Sequence, residues 1–548
     1  MYSVKIGNNT YCYEVKKTLE EIAKELGIKC YAATVNNRMR ELTYYLNYDC
    51  VVEFFDLTNS EAVRVYQTTL RYVIIMALKR IRPAAKINFS DYVSRTFLGV
   101  VKDNNFKINQ SFIDELNQEV KKIINANYPI VRQKLPKEEV LELYKKEGYE
   151  DKIAFLKYRQ DDFVNTYECD GFINYMYGYM LPSTGYLNDY VLRLYYPGFV
   201  IQYPRAEEGG KIPAFEDDQS FSRMIQSARS WRLLCGVENI STMNQFTESR
   251  DFVKFVNMCE TKHNNMLAEL GLKIKENIDD IKLIAIAGPS SSGKTTFTNR
   301  LKIELMTRGI NPVMISMDDY YLNREDTPLD ENGDPDFESV DALDIKFFNQ
   351  QLVSLIQGDE VTLPIFDFKQ GKRIQGSKVK LEPHQPILIE GIHALNEKVT
   401  SLIPKHQKFK IFISPVPQLN IDDHNPICAT DLRLIRRIVR DAKYRKTSPN
   451  RTFAMWKNVR RGEFKWIYQW QKEADYVFNS ELTYEIMVMK KYALPALQTI
   501  KSDDEYYIQA NRLIKFLKYV NDIEDKYVPC NSILREFIGD SCFYEYDE

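Results

Sequence analysis

Ile281 to Thr296 reads IKLIAIAGPSSSGKTT, and this stretch decides the fold. Leu283 to Ala287 is a short apolar run of the kind that forms a buried parallel strand. The turn after it fits G-x-x-x-x-G-K-[ST], with Gly288, Gly293, Lys294 and Thr295 at the required places. A phosphate cradle needs these residue types. Backbone N–H groups must point inward around the anion, which takes glycine where φ has to relax. A helix beginning at Thr295-Thr296 adds the partial positive charge of its N-terminus. Pro289, Ser290, Ser291 and Ser292 complete the loop, so Gly288 to Thr296 is expected to hold the phosphates of a nucleoside triphosphate. Lys294 can reach the β- and γ-phosphates, and the Thr295 hydroxyl can hold Mg²⁺. The competing reading is a Gly/Ser turn before a helix; strand, turn and helix in register favour the loop. It indicates the donor and says nothing of what is done with it.

A chain of 548 residues is expected to hold about three domains or more, at roughly 150 residues each. A formal net charge of −2 argues against a generic polyanion binder, so nucleic acid is not the expected partner. Nine cysteines, odd in number and without a C-x-x-C pair, read as reduced thiols. MYSVKIGNNTYCYEV carries no signal-peptide core, and no apolar run approaches the ~18 residues of a membrane helix. A cytoplasmic protein without a membrane partner is the expectation; a homo-oligomer is left open.

Residues 1–57 read as a compact α+β unit. SVKI and YCYEV flank Gly7-Asn8-Asn9 as a hairpin. Thr18 to Glu21 is a capping box for a helix that stops at Gly27. Strand-like pieces follow at Tyr31 to Val35, turning at Asn36-Asn37, and at Val51 to Phe55. The order ββαββ, with ATVNN and DCVVEFF, resembles the β-grasp TGS domain at the front of threonyl-tRNA synthetases. In residues 58–235, QTTLRYVIIMALKRIRP and DGFINYMYGYMLPSTGYL resemble the α+β second additional domain of the same enzymes. That domain carries H-x-x-x-H and C-x-x-x-H. In register the positions here are Thr68, Tyr72, Met176 and Met180, poor ligands for zinc, and the first histidine of the chain is His263. The resemblance implies the fold and argues against tRNA editing. Residues 236–275 read as a helical linker and 501–548 as a C-terminal helical segment packed on the second half of the chain or on the front.

In the second half, VMISM delivers Asp318-Asp319-Tyr320-Tyr321 one βαβ unit beyond the loop, and in a doubly wound sheet both strand ends face one crevice. A carboxylate there can accept a hydroxyl proton as the γ-phosphoryl group leaves. ILIEGIH, Ile387 to His393, ends a buried strand in Glu390, placed like a Walker B acid. Arg433, Arg436, Arg437 and Arg440 recur at i, i+3, i+4 and i+7 after Asp431, the expected N-cap, and share a helix face.

The order and spacing of GPSSSGKTT, ISMDDYY, DFESVDALD, LPIFDF, LIEGI and TDLRLIRRIVRD resemble the uridine kinase and phosphoribulokinase family over roughly 276–500. With the front units, the whole chain resembles bacterial uridine kinase-like nucleoside kinases bearing a threonyl-tRNA-synthetase-like front; QLNIDDHN, Gln418 to Asn425, belongs to that pattern. The resemblance implies an α/β P-loop kinase domain with a mostly parallel, doubly wound sheet, using ATP and Mg²⁺. It makes Asp318 the general base, Lys294 the phosphate clamp, and Thr295 and Glu390 the Mg²⁺ side. Tyr321, Asp341, Phe366 and Arg373 would line the acceptor pocket with Asp318. Arg433, Arg436, Arg437 and Arg440 would form a lid closing on ATP. The pattern departs at Phe366 and Gly371, where pyrimidine kinases carry tyrosine and histidine, and in DFESVDA, which puts pyrimidine specificity in doubt. The expected activity is phosphorylation of a primary hydroxyl, the 5′-OH of a nucleoside. A sugar or sugar-phosphate kinase and an NTP-switched RNA-binding regulator are the alternatives.

Overall fold

The computed structural model describes the chain apart from residues 92, 103–105, 250, 331–332, 368–369, 418 and 544–548. Phe368 and Lys369, beside the LPIFDF motif, and Gln418 therefore lie outside the described residues. At the N-terminus Tyr2–Ile6 pairs antiparallel with Asn9–Tyr13. The capping box forms: Thr18 and Glu21 satisfy each other's backbone N–H at the start of Leu19–Glu25. Asn36 and Asn37 both adopt positive φ, 47° and 57°, which a two-residue hairpin turn requires. The return strand, Arg38–Arg40, was not foreseen, because three polar-flanked residues carry no periodicity. The resulting five-stranded sheet runs Asn9–Tyr13, Tyr2–Ile6, Cys50–Phe55, Ala32–Val35, Arg38–Arg40, with Tyr2–Ile6 and Cys50–Phe55 parallel.

Helix Ser60–Ile81 follows, capped by Asn59 and buried along most of its length. Around it lie a four-stranded antiparallel sheet built from Lys86–Asp91, Phe97–Lys102, Val191–Tyr195 and Gly198–Gln202, and a three-stranded one from Val131–Pro136, Phe163–Cys169 and Phe172–Asn174. The four positions in register with synthetase metal ligands are spent on packing. Thr68 Oγ1 donates to Arg64 O at 2.8 Å and Tyr72 Oη to Phe172 O at 2.7 Å. Met176 and Met180 are buried in the apolar core.

The C-terminal half forms an all-parallel sheet in the order Val313–Ser316, Ile387–Glu390, Leu283–Ala287, Lys408–Ser414, Tyr476–Asn479. LIAIA is buried at every position, as a central strand covered on both faces must be. Phe252–Glu276 is more than a connector: Phe255, Val256, Leu267 and Leu270 are buried in one core with Phe297 and Leu301 of the loop's helix. Val140, Tyr144, Phe155, Val164 and Tyr175 belong to that core too, so the front region and the parallel sheet share apolar packing. Among the described residues no helix is long and apolar enough to cross a membrane.

Candidate active site at the phosphate loop

The loop has the geometry its sequence requires. A Cβ on Gly288 would meet the Ile413 carbonyl oxygen at 2.0 Å, so only glycine lets the strand turn there. Gly293 takes a φ of 87° and Ser291 one of 61°, which turns successive N–H groups inward. The hydroxyls of Ser291 and Ser292 are buried and find no hydrogen-bond partner among the described residues, an arrangement that suits phosphate oxygens. Helix Lys294–Met306 begins at Gly293 without a side-chain cap of its own.

Four groups named from the sequence converge here. Lys294 Nζ folds back to Pro289 O at 3.3 Å, and Thr295 Oγ1 lies 3.5 Å from Glu390 Oε1. Asp318 stands in a short 3₁₀ turn, Met317–Tyr320, at the end of strand Val313–Ser316. It stays open to solvent in the cleft, and the enclosure raises its carboxyl pKa while Lys294 draws it down. Burial, then the Asp318 charge, pushes Glu390 up to about 7, against the pull of Lys294. Lys294 is lowered by burial, opposed by Glu390, Asp318 and Glu536. Thr295 and Glu390 offer only oxygen, the donor type Mg²⁺ takes, and would hold that ion beside the phosphates. Asp319 does not share the site: its Oδ1 accepts from Phe366 N at 3.1 Å and fixes the neighbouring hairpin, Val361–Asp367 with Lys372–Val379.

The arginine helix, Ala429–Tyr444, corrects one expectation. Its N-cap is Cys428, and Asp431 lies inside the first turn, paired with Arg64 and Arg512. Arg433 and Arg436 are not free to close over a nucleotide. Arg433 is 2% exposed, paired with Glu463, and its Nε donates to Ser290 O at 3.2 Å. Arg436 is fully enclosed; Nε and Nη2 hold Glu485 at 2.8 and 2.5 Å, and Nη1 reaches Ser292 O at 3.3 Å. Arg437 Nη1 donates to Ser290 Oγ at 2.8 Å. These three grip the outer side of the loop. The acids that neutralise Arg433 and Arg436, Glu463 and Glu485, come from distant segments that periodicity cannot connect; Arg437 pairs with Asp441 of its own helix at 3.3 Å. Arg440 pairs with Asp441 at 3.0 Å.

On the acceptor side, Tyr321 Oη donates to Phe337 O at 3.1 Å, and its ring meets Phe366 and Phe337 edge-on at centroid distances of 6.0 and 6.5 Å. Phe366 is buried. Arg373 pairs with Asp344 at 3.0 Å and lies over the Phe347 ring, while Asp341 is exposed and pairs with Lys398 at 2.7 Å. Tyr321 and Phe366 thus form one wall with Asp319; Asp341 and Arg373 are each engaged elsewhere.

Residues 283–486 match the model of the Phosphoribulokinase / Uridine kinase family. A uridine kinase from Borrelia duttonii is 31% identical over 199 residues, 36% of this chain and 85% of that protein. The chain belongs to the phosphoribulokinase/uridine kinase family. It is a P-loop kinase by fold, and its N-terminal region is threonyl-tRNA-synthetase-like. A threonine–tRNA ligase from Thermotoga petrophila is 30% identical over 183 residues, 33% of this chain and 28% of the ligase, so the chain spans under a third of such relatives. One from Syntrophomonas wolfei is 28% identical over 173 residues, 31% of this chain and 26% of that protein.

Three site groups escaped the sequence reading. Glu338, within DFESVDALD, is pushed up to about 7 by burial and acts on the same charges, with Arg437, Lys294 and Asp318 among its neighbours. Arg445 is lowered to about 10, chiefly by Arg440, and faces Asp318. Glu536 comes from the far C-terminus, and Thr296 N donates to its Oε2 at 3.1 Å. No local pattern marks any of them; the tertiary fold alone brings them in.

Proposed function

We propose that the protein transfers the γ-phosphoryl group of ATP, with Mg²⁺, to the 5′-hydroxyl of a nucleoside. The observation that carries this reading is the convergence of Asp318 and Glu390 on Lys294 at the mouth of a built phosphate loop. Asp318 accepts the proton of the attacking hydroxyl. Lys294 leaves Pro289 O to meet the β- and γ-phosphates, and the loop N–H groups hold the donor in line. Mg²⁺, held by Thr295 and through water by Glu390, would neutralise charge on the transferring group. The Tyr321 ring, backed by the buried Phe366, lies beside Asp318 and offers surface for a flat acceptor. A family relative named uridine kinase supports the nucleoside class. Phe366 and Gly371 stand against a specifically pyrimidine acceptor.

The test is the full chain with MgATP against a panel of nucleosides, sugars and sugar phosphates, reading phosphorylated product by mass. A nucleoside 5′-monophosphate is the expected product. Phosphorylation of a sugar or sugar phosphate, with every nucleoside refused, would replace the acceptor assignment.

A further inference from the structure

The chain supplies its own anion to the phosphate loop. The segment around Arg535–Ile538 is firmly seated: Ile533, Leu534, Phe537 and Ile538 are fully buried. Ile533 covers the loop at Gly293, where an added Cβ would lie 2.5 Å from its Cγ2. Arg535 ties the turn to Val528 O at 2.6 Å and Asp525 O at 2.9 Å, and Ser532 Oγ donates to Glu260 at 2.6 Å. Lys443 Nζ donates to Ile538 O. From this base the half-buried Glu536 side chain alone reaches into the site. Its Oε2 takes the N–H of Thr296, the third residue of the loop's helix.

That N–H is one of those a helix N-terminus directs to partners outside the helix, and in a phosphate loop it belongs to the ligand. It follows Lys294 and Thr295, so it lies toward the nucleoside end of a bound polyphosphate, past the groups that serve the β- and γ-phosphates. The carboxylate also joins Asp318, Glu390 and Glu338 around Lys294, so the lysine faces an excess of acids. Arg440 is the further cation acting on that lysine. An incoming nucleotide meets both a blocked donor and an unfavourable charge. The buried, unpartnered Ser291 and Ser292 hydroxyls mark the rest of the cradle as built for an anion larger than one carboxylate.

We propose that Glu536 is a tethered competitor for the donor's phosphate and sets the affinity of the site for nucleotide. This rests on the reading of the loop as the donor site. Competition needs only rotation of one side chain, because the turn that carries it stays packed. Tethering gives the carboxylate a high effective concentration, so it holds Thr296 N–H whenever nucleotide is absent. Since ATP and ADP share the phosphate that competes, both are affected alike.

The experiment compares the full chain with Glu536→Gln and Glu536→Asp by titration calorimetry with MgATP and MgADP, and by thermal unfolding without nucleotide. Glutamine keeps the shape and removes the charge; aspartate keeps the charge and shortens the reach. Exchanging a charge-assisted hydrogen bond for a neutral one predicts about five- to tenfold tighter binding of both nucleotides. Lower unfolding temperature with unchanged affinity in both variants would reduce Glu536 to a helix cap and overturn the proposal. Weaker binding would place Glu536 among the donor's own contacts and overturn it too. If neither wild type nor variants bind either nucleotide, the donor-site reading falls and this proposal with it.

Discussion

Replacing Arg436 by alanine separates a fixed strut from a mobile lid. The side chain is fully enclosed and holds Glu485 through two hydrogen bonds, Ser480 O at 2.8 Å, and the carbonyl of Ser292 at 3.3 Å. Its guanidinium also lies 5.1 Å from the Phe537 ring centre. Truncation leaves the Glu485 carboxylate, itself 1% exposed, with the Leu482 N–H at 2.9 Å as its remaining contact among those described. Breaking one partner of a buried pair costs about 3–5 kcal/mol. Whole domains are stable by about 5–15 kcal/mol, so Arg436→Ala is expected to lose a large share of the stability. Thermal and urea unfolding followed by tryptophan fluorescence measure this. The double change Arg436→Met with Glu485→Leu removes both charges, and stability should return to within about 1–2 kcal/mol of wild type. It leaves the Ser292 carbonyl untethered, so nucleotide affinity should stay about tenfold weaker, the effect of one lost positioning contact. A single variant as stable as wild type, or a double variant with full nucleotide affinity, would refute the strut.

Asp318→Asn should spare nucleotide binding and cut turnover by about 10²–10⁴-fold, read as kcat against Kd; near-normal turnover would remove Asp318 as the base. Glu338 and Glu390 are both raised from 4.5 to about 7, so between those values the folded protein holds protons that the unfolded chain has lost. Each therefore lowers stability as pH rises from about 4.5 to about 7, with no further change above. The difference between wild-type and Glu390→Gln unfolding curves, taken without metal, should show this slope, and parallel curves would contradict it. Lys152 and Asp422 form a buried pair at 3.1 Å between the front region and the kinase, with side chains 1% and 0% exposed. Lys152→Met should cost about 3–5 kcal/mol in urea unfolding; a loss under about 1 kcal/mol would show that the pair contributes nothing to the junction.

The parts legible in the sequence are those carried by local rules. LIAIA, the loop glycines and the capping box at Thr18 each follow from a few adjacent residues. The arginine stripe was legible as a helix face, but its meaning was not. Periodicity placed Arg433, Arg436 and Arg437 together, while the acids that fix the first two stand 30 and 49 residues away, at Glu463 and Glu485. Asp441 of the same helix pairs with Arg437 and Arg440, but the acids that hold Arg433 and Arg436 appear only in the fold. Glu536 shows the same limit from the other side, since a lone glutamate in SILREFIG has no signature. Asp341 and Arg373 pair with Lys398 and Asp344, opposite charges that no local pattern in the sequence connects to them.

The front region's place in the molecule follows from how the kinase loop Asn420–Asn425 is held. Asn420 Nδ2 donates to Phe89 O at 2.7 Å and Phe89 N donates to Asp423 O at 2.8 Å, so the loop is hydrogen-bonded to the front sheet's edge. His424 Nδ1 lies 3.0 Å from Asn174 Nδ2, whose side chain also touches the Met176 sulfur at 4.0 Å. Burial holds the His424 pKa well below its ordinary value, so the ring packs as a neutral group. The kinase thus fills space next to positions that, in synthetase register, would carry metal ligands. Four residues after Asn425 the arginine helix begins, and Asp431 in its first turn is gripped by Arg64 of the front helix and Arg512 of the C-terminal helix. The helix that backs the phosphate loop is therefore anchored from both ends of the chain. A front region fastened this way cannot move without disturbing Arg433 and Arg436, and through them the carbonyls of Ser290 and Ser292. These contacts couple the synthetase-like region to the helix that backs the phosphate loop.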